Sequence, residues 1–373
     1  MEAVYIHIPF CKNICSYCDF CKVLYIEKFV SDYLEALQRE IEQNYKGERI
    51  KTLYIGGGTP SCMSRTERIK LFRILSIFNK TPNCECTFEC NPQDITEELL
   101  DDIVTGGINR LSIGIESFDE SNLKILERTA DFKDIEQKLD MVRKRGINNI
   151  NLDLMYAIPG EKISTLKKDI DKLLRLKPTH ISTYSLILED HTKLGTNGTK
   201  YIDEETDRKM YDTITKILKE EGYKHYEISN FAKEGYESKH NLTYWNNEEY
   251  YGFGLGAAGY IENVRYSNTR NLHNYCNNIY RVQENIMTEQ DQMDNEIMLG
   301  FRKIEGINVE HFFDKYNKNI QEVYPVKELI KTGDLIYKNG QLYINPSKIY
   351  VMNEILIRLI WYWIILYLCY NSY

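Results

Sequence analysis

The sequence predicts an α/β protein: a partial (β/α)6 barrel followed by a smaller winged-helix-like α+β domain. Three observations lead there. Short apolar runs alternate with stretches of helical periodicity through the first two thirds of the chain. No antiparallel hairpin signal separates these units, so their strands should lie parallel. Every stretch that carries chemistry directly follows an apolar run, where parallel α/β folds gather their reactive groups. Six such units do not close an eight-stranded barrel, so an open one is expected.

Val4–Ile8 is the first expected strand, and Lys28–Gln43 a helix with Phe29, Val30, Tyr33, Leu34, Leu37 and Ile41 on one face. Thr52–Ile55 is the second strand, with a helix at Ile69–Phe78, and Glu85–Glu89 the third. Thr96 caps the next helix, Glu97 and Glu98 fill its first turn, and Gly106-Gly107 closes it. Leu111–Ile115, Asn149–Met155 and His180–Leu188 complete the strands, with helices at Phe132–Arg145, Ser164–Leu176 and Asp203–Glu221. Tyr223–Phe231 and His240–Tyr260 are rich in Tyr, Asn and Gly and show no helical period. Helices are then expected at Gln292–Arg302, Val309–Lys315 and around Val326–Thr332. Leu335–Tyr337 and Gln341–Ile344 should pair around Asn339-Gly340, a type I′ hairpin signal. The expected divisions are a barrel at 1–225, a connecting region at 226–290, a small domain at 291–354 and an aromatic tail at 355–373.

With 373 residues, 43% of them apolar, the chain can bury a substantial core. Its net charge of -8 is spread along the sequence without a basic stripe, which argues against nucleic acid as a partner. The small C-terminal domain is therefore expected to serve as a lid or docking surface. Ten cysteines in a chain of this length do not make a disulfide scaffold, and reduced thiols point to the cytoplasm. Met1 leads directly into a strand, so no secretory leader is expected. The tail is shorter than the roughly 20 apolar residues of a spanning helix and is broken by Arg358. It could dock on the protein, rest on a membrane surface or be foreign to the fold, and it is expected to have no catalytic part.

The first strand runs into Cys11, Cys15 and Cys18, at C-x3-C-x2-C spacing. Thiolates suit zinc or iron–sulfur clusters. Structural zinc usually takes four protein ligands, so three close cysteines fit a 4Fe–4S cubane better, with one iron left open to a small molecule. Gly56-Gly57-Gly58-Thr59-Pro60 follows the second strand, and its glycines let backbone amides approach a ligand. Glu89 ends the third strand, where a carboxylate can accept from hydroxyls. Cys84 and Cys86 share one strand face, poor geometry for wrapping a second cubane, so they and Cys90 are expected to be free thiols. Asp153, flanked by apolar strand residues, should be buried and paired or point at a ligand. An imidazole and an aromatic pair stand together in His240-Asn241-Leu242-Thr243-Tyr244-Trp245, outside the barrel, able to ligate iron and stack on a porphyrin.

Tyr5-Ile6-His7-Ile8-Pro9-Phe10-Cys11 together with Tyr17-Cys18-Asp19-Phe20 resembles the radical S-adenosylmethionine (SAM) family, in the branch that holds oxygen-independent coproporphyrinogen III oxidases and HemW-type haem chaperones. The resemblance covers essentially residues 1–350. It implies a 4Fe–4S cluster on Cys11, Cys15 and Cys18, and SAM held by Tyr5, Tyr17, Gly57, Gly58, Thr59, Glu89, Glu116, Arg128, Asp153 and Ile187. The family often has Gln where Glu116 stands, and Glu accepts hydrogen bonds but does not donate at neutral pH. The H-N-x-x-Y-W stretch resembles the haem-chaperone signature, which implies haem on His240, Tyr244 and Trp245 and apo-haemoproteins as recipients. Oxidases of the branch carry a further cysteine where this chain has Phe20, with Cys21 one residue on. The expected function is that of a haem chaperone; the alternative is radical decarboxylation of coproporphyrinogen III propionates. The resemblance leaves a homodimer open.

Overall fold

The computed structural model describes residues 2–360. The aromatic run from Trp361 onward, most of the expected tail, lies outside the described residues.

Six parallel strands lie side by side in chain order: β1 (Ala3–Ile8), β2 (Ile50–Gly57), β3 (Lys80–Cys90), β4 (Arg110–Glu116), β5 (Asn149–Tyr156) and β6 (His180–Ser185). The crossovers carry α1 (Glu27–Asn44), α2 (Arg65–Leu75), α3 (Glu97–Thr105), α4 (Glu120–Leu126), α5 (Phe132–Lys144) and α6 (Ile163–Arg175), and α7 (Glu204–Glu220) follows β6. The caps are local: Ser64 and Glu67 form a capping box on α2, and Thr96 accepts from the Leu99 amide on α3. β6 stops at Ser185, three residues before its expected end, because Leu186 and Leu188 turn into a cluster with Leu126, Met155 and Ile158.

The sheet does not end with these strands. The stretch 226–290, expected as a connection, supplies further strands at both edges. β7 (Asn230–Ala232) pairs antiparallel with β6, and β8 (Tyr250–Phe253) pairs parallel with β1. Beyond β8 lie β9 (Ala258–Ile261), β10 (Val264–Asn268) and β11 (Arg281–Ile286). The glycines here serve close packing. A Cβ on Gly259 would come 2.2 Å from Cζ of Tyr266, and one on Gly252 would come 1.8 Å from the Ala258 carbonyl oxygen.

Side chains alternate across the six parallel strands. One face carries Ile6, Ile55, Phe88, Ile113 and Leu152 toward the helices, with Phe88 beside Phe72 of α2. The inner face is polar. Register places Tyr5, Tyr54, Thr87 and Arg110 in one row, and Glu89, Ser112, Asn151 and His180 in the next.

By their internal contacts the described residues form two compact units, one of 2–224, 229–240 and 249–285, the other of 225–228, 241–248 and 286–360. The second contains helices Glu289–Gly300, Val309–Tyr316 and Val326–Lys331 and the hairpin Leu335–Lys338 with Gln341–Ile344. Its turn residues, Asn339 at φ 53° and Gly340 at φ 77°, are both left-handed, as a type I′ turn requires. Arg358, which interrupts the apolar run, pairs with the buried Asp334 at 2.7 Å. Among the described residues no helix is long and apolar enough to cross a membrane.

Candidate cluster and cofactor site

The cysteine loop leaves the C-terminal end of β1. Phe10–Cys11 pairs with Val23–Leu24, which closes the loop at its base. Ser16 fixes the middle: its hydroxyl donates to the Ile125 carbonyl and its own carbonyl accepts from the Leu194 amide. Each sulfur-bearing residue has a polar neighbour. Thr59 Oγ1 lies 3.4 Å from Cys11 Sγ, Arg128 Nη1 lies 3.7 Å from Cys15 Sγ, and Lys22 donates to the Cys18 carbonyl. Burial pushes the Cys11 thiol up to about 11, opposed by the Thr59 hydroxyl. Among the described residues no three His, Cys, Asp or Glu side chains converge on one metal ion. A cubane makes no such demand, since its three thiolates sit on three different irons.

The glycine loop is tied to the cysteine loop, with the Gly58 amide on the Ile8 carbonyl and the Thr59 amide on the Phe10 carbonyl, each at 2.8 Å. Only glycine fits: a Cβ on Gly56 would lie 2.5 Å from Cδ of Glu89. Glu89 itself accepts from the Gly57 amide at 2.9 Å and from the Tyr54 hydroxyl at 2.7 Å. Burial raises its carboxyl to about 7, against those two donors and with Asp153 adding to the rise.

Glu116 ends β4 in a left-handed conformation, φ 71°, where the β4–β5 register shifts. The bulge turns its carboxylate toward Arg128, 3.8 Å away, and Tyr17 hydrogen-bonds it. Arg128 also donates to Asn91 Oδ1 at 2.8 Å and to the Gly114 carbonyl. Asp153 accepts from Asn151 at 2.7 Å, and burial raises its carboxyl. Cys15, Cys62, Asn91 and Arg128 line a cavity of about 160 Å³ with Lys12 and Glu127. The expected SAM residues therefore gather at the C-terminal ends of the strands. Ile187 is 63% exposed, between two buried leucines.

His240 departs from its expected place outside the barrel. It lies in the first turn of the helix α8 (Lys239–Trp245) and is 1% exposed. Its Nδ1 is 2.8 Å from Thr52 Oγ1, and its ring lies 5.1 Å from that of Tyr54 and 6.5 Å from that of Tyr5. The polar inner face accepts an imidazole readily. Burial lowers its pKa to about 3, so the ring is neutral. Tyr244 and Trp245 fall in the second unit, where the Arg302 guanidinium lies 5.7 Å from the Trp245 ring.

Sequence reasoning missed Tyr54, Asn91 and His7 as parts of the site. His7 Nε2 donates to the Cys21 carbonyl at 2.7 Å, so Nδ1 is left to accept from Tyr5 at 3.0 Å. Alternation in β1 and β2 already put Tyr5, His7 and Tyr54 on one face, and that signal could have found them. The residues fit the implied groups. Three soft sulfurs suit iron, and the buried Glu116 with the half-buried Glu89 and Asp153 suit a ligand that carries an ammonium and a sulfonium. Arg128 suits its carboxylate.

A cysteine loop at the end of the first strand of a parallel sheet, with a glycine loop after the second, defines the class: this is a radical SAM protein. Residues 5–173 match the Radical SAM superfamily, and residues 287–347 match the HemN C-terminal domain. The chain belongs to the HemW family within that class. It is 38% identical over 353 residues to heme chaperone HemW of Lactococcus lactis, covering 91% of this chain and 92% of the relative. It is 36% identical over 372 residues to heme chaperone HemW of Bacillus subtilis, covering 95% and 98%. In fold it is similar to the coproporphyrinogen III oxidase HemN of Escherichia coli, a radical SAM enzyme, with a TM-score of 0.83 at 18% identity over 96% of this chain and 89% of that one. Membership implies a 4Fe–4S cluster and SAM as cofactors.

Proposed function

We propose that this chain binds haem and passes it to apo-haemoproteins, with a 4Fe–4S cluster on Cys11, Cys15 and Cys18. Tyr5, Tyr17, Gly57, Gly58, Thr59, Glu89, Glu116, Arg128 and Asp153 would hold SAM beside it, with Ile187 at the adenine. The cluster, when bound, supplies an electron and an open coordination position. The chain's own part is to orient: Arg128 takes the SAM carboxylate, Glu89 the ribose, and the backbone of the glycine loop the amino group. The six parallel strands read as a partial (β/α)6 barrel, and residues 291–354 as a winged-helix-like module. The cytoplasm is the compartment that suits reduced cluster thiols.

Position 20 carries the choice of chaperone over oxidase. Phe20 is 68% exposed where the oxidase branch has cysteine. The neighbouring Cys21 thiol packs against Gly256, where an added Cβ would come 2.8 Å from its Sγ, and hydrogen-bonds Arg270. Haem contact is assigned to the 240–245 stretch. The buried indole Nε1 of Trp245 has no acceptor among the described residues, and a haem propionate could supply one.

The test is anaerobic reconstitution followed by haem titration and, in parallel, turnover with coproporphyrinogen III and reductant. The reading expects a shifted Soret band that His240→Ala weakens, and no protoporphyrinogen. Turnover without haem binding would reverse it in favour of the oxidase.

A further inference from the structure

His240 is packed against the residue that orders Glu89. Its ring is tilted 31° to that of Tyr54, with centroids 5.1 Å apart. The Thr52 hydroxyl holds its Nδ1, and Glu85 accepts from its backbone amide at 3.2 Å. These contacts hold the ring and the backbone of His240. Tyr54 in turn donates to Glu89 Oε1 at 2.7 Å, and the opposite carboxylate oxygen is taken by Gly57. The chain of contact from His240 to the glycine loop is continuous and lies within one compact unit.

The Tyr54 ring stands between Tyr5 and Thr87 in its strand row, with the imidazole packed against it. It is half-buried, and its other aromatic neighbour on this face is Tyr5, at 6.0 Å. Removing the imidazole would leave a void beside the phenol, and a ring beside a void loses its preferred rotamer and the hydrogen bond it directs.

We propose that His240 is a positioning residue for the SAM pocket, seating the Tyr54 ring so that its hydroxyl orders Glu89. The role is steric. It needs a flat ring at position 240 and no iron-ligating nitrogen. The inference rests on the reading of Glu89 as a SAM contact.

The experiment uses the full chain, reconstituted without air, with SAM affinity measured by equilibrium dialysis and iron content and melting temperature checked for every variant. Tyr54→Phe should weaken SAM about five- to tenfold, the size of one hydrogen bond. His240→Ala should weaken it by a similar factor, and the double variant no further than either alone, because both act on one bond. His240→Phe should restore SAM affinity while leaving haem unligated at this position. If Glu89→Gln weakens SAM and His240→Ala with full iron content does not, the positioning role is overturned and the Glu89 reading stands. If neither changes SAM affinity, both fall together. Failure of His240→Phe to rescue, with wild-type melting and iron content, overturns the steric account.

Discussion

The imidazole of His7 fills the space that any side chain at position 57 would need: a Cβ on Gly57 would come 2.4 Å from His7 Cε1. Gly57 also sits at φ 114°, a conformation that L side chains rarely adopt. Gly57→Ala should therefore cost about 2 kcal/mol in strain. Its amide would also lose its aim at Glu89. The expected outcome is a lower unfolding midpoint together with weakened SAM binding, and an unchanged midpoint in thermal or urea unfolding would refute the first part.

The cluster loop makes a compositional prediction. Cys15→Ser should abolish the roughly four irons per chain that a cubane brings. Cys84→Ser, on the helix-facing side of β3, should leave the iron in place. Iron and sulfide analysis decides both. The fold should survive each change, since serine keeps nearly the size of the cysteine it replaces.

Glu40 predicts a pH dependence. It is buried on α1 and accepts from Tyr275, from the Gly254 amide at 2.9 Å and from Asn268 at 2.6 Å. Burial nonetheless raises its carboxyl from 4.5 to about 7. The folded state thus holds the proton more tightly than the unfolded chain. Its contribution is fully present below about pH 4.5 and is lost as pH rises through 7. Glu40→Gln removes that dependence because an amide does not titrate, and a flipped Asn268 can offer its unpartnered Oδ1 to the new group. Between pH 5 and 8, wild type should lose stability relative to the variant by on the order of 3 kcal/mol at most. Urea titrations across that range would show parallel curves if the assignment is wrong.

Asp102 holds a buried guanidinium. It accepts from Arg68 Nε at 3.0 Å and Nη2 at 2.7 Å, joining α2 to α3. Asp102→Ala would leave Arg68 charged and poorly satisfied, at a cost of about 3–5 kcal/mol. Chemical denaturation measures this directly. A loss under about 1 kcal/mol would mean that Glu98, which also contacts Arg68 at 2.8 Å, compensates.

The interior place of His240 predicts slow haem capture. An imidazole 1% exposed and packed on Tyr54 must be uncovered before its Nε2 can reach iron. The Soret change should then reach a limiting rate as haem concentration rises, set by local opening. Thr52→Ala loosens the imidazole and should raise that limit. A rate that stays linear in haem up to the fastest stopped-flow mixing would show that His240 is not the ligand.

Much of the fold was legible because the six central strands repeat one physical pattern. Alternating stretches such as Ile150–Leu154 and turn signals such as Gly106-Gly107 are set by local chemistry. The Asn339-Gly340 hairpin was legible for the same reason. The edge strands were not. Tyr250–Phe253 and Ala258–Ile261 are held by rings laid on glycines, a long-range fit that leaves no period in the sequence. The cysteines, the glycine loop and Glu89 were found because each follows a strand. His240 was misplaced because a loop histidine is usually exposed, and only the polar inner face explains its burial.

The alternation of polar and helix-facing residues along β1 to β6 constrains how relatives of this chain can diverge in length. Deleting one residue inside β4 would exchange Arg110 and Ser112 with Leu111 and Ile113, sending charge toward the helices and methyl groups into the cofactor pocket. Lineages should therefore accumulate gaps in the crossovers and at the free edges, while the six central segments change in spelling but keep their parity.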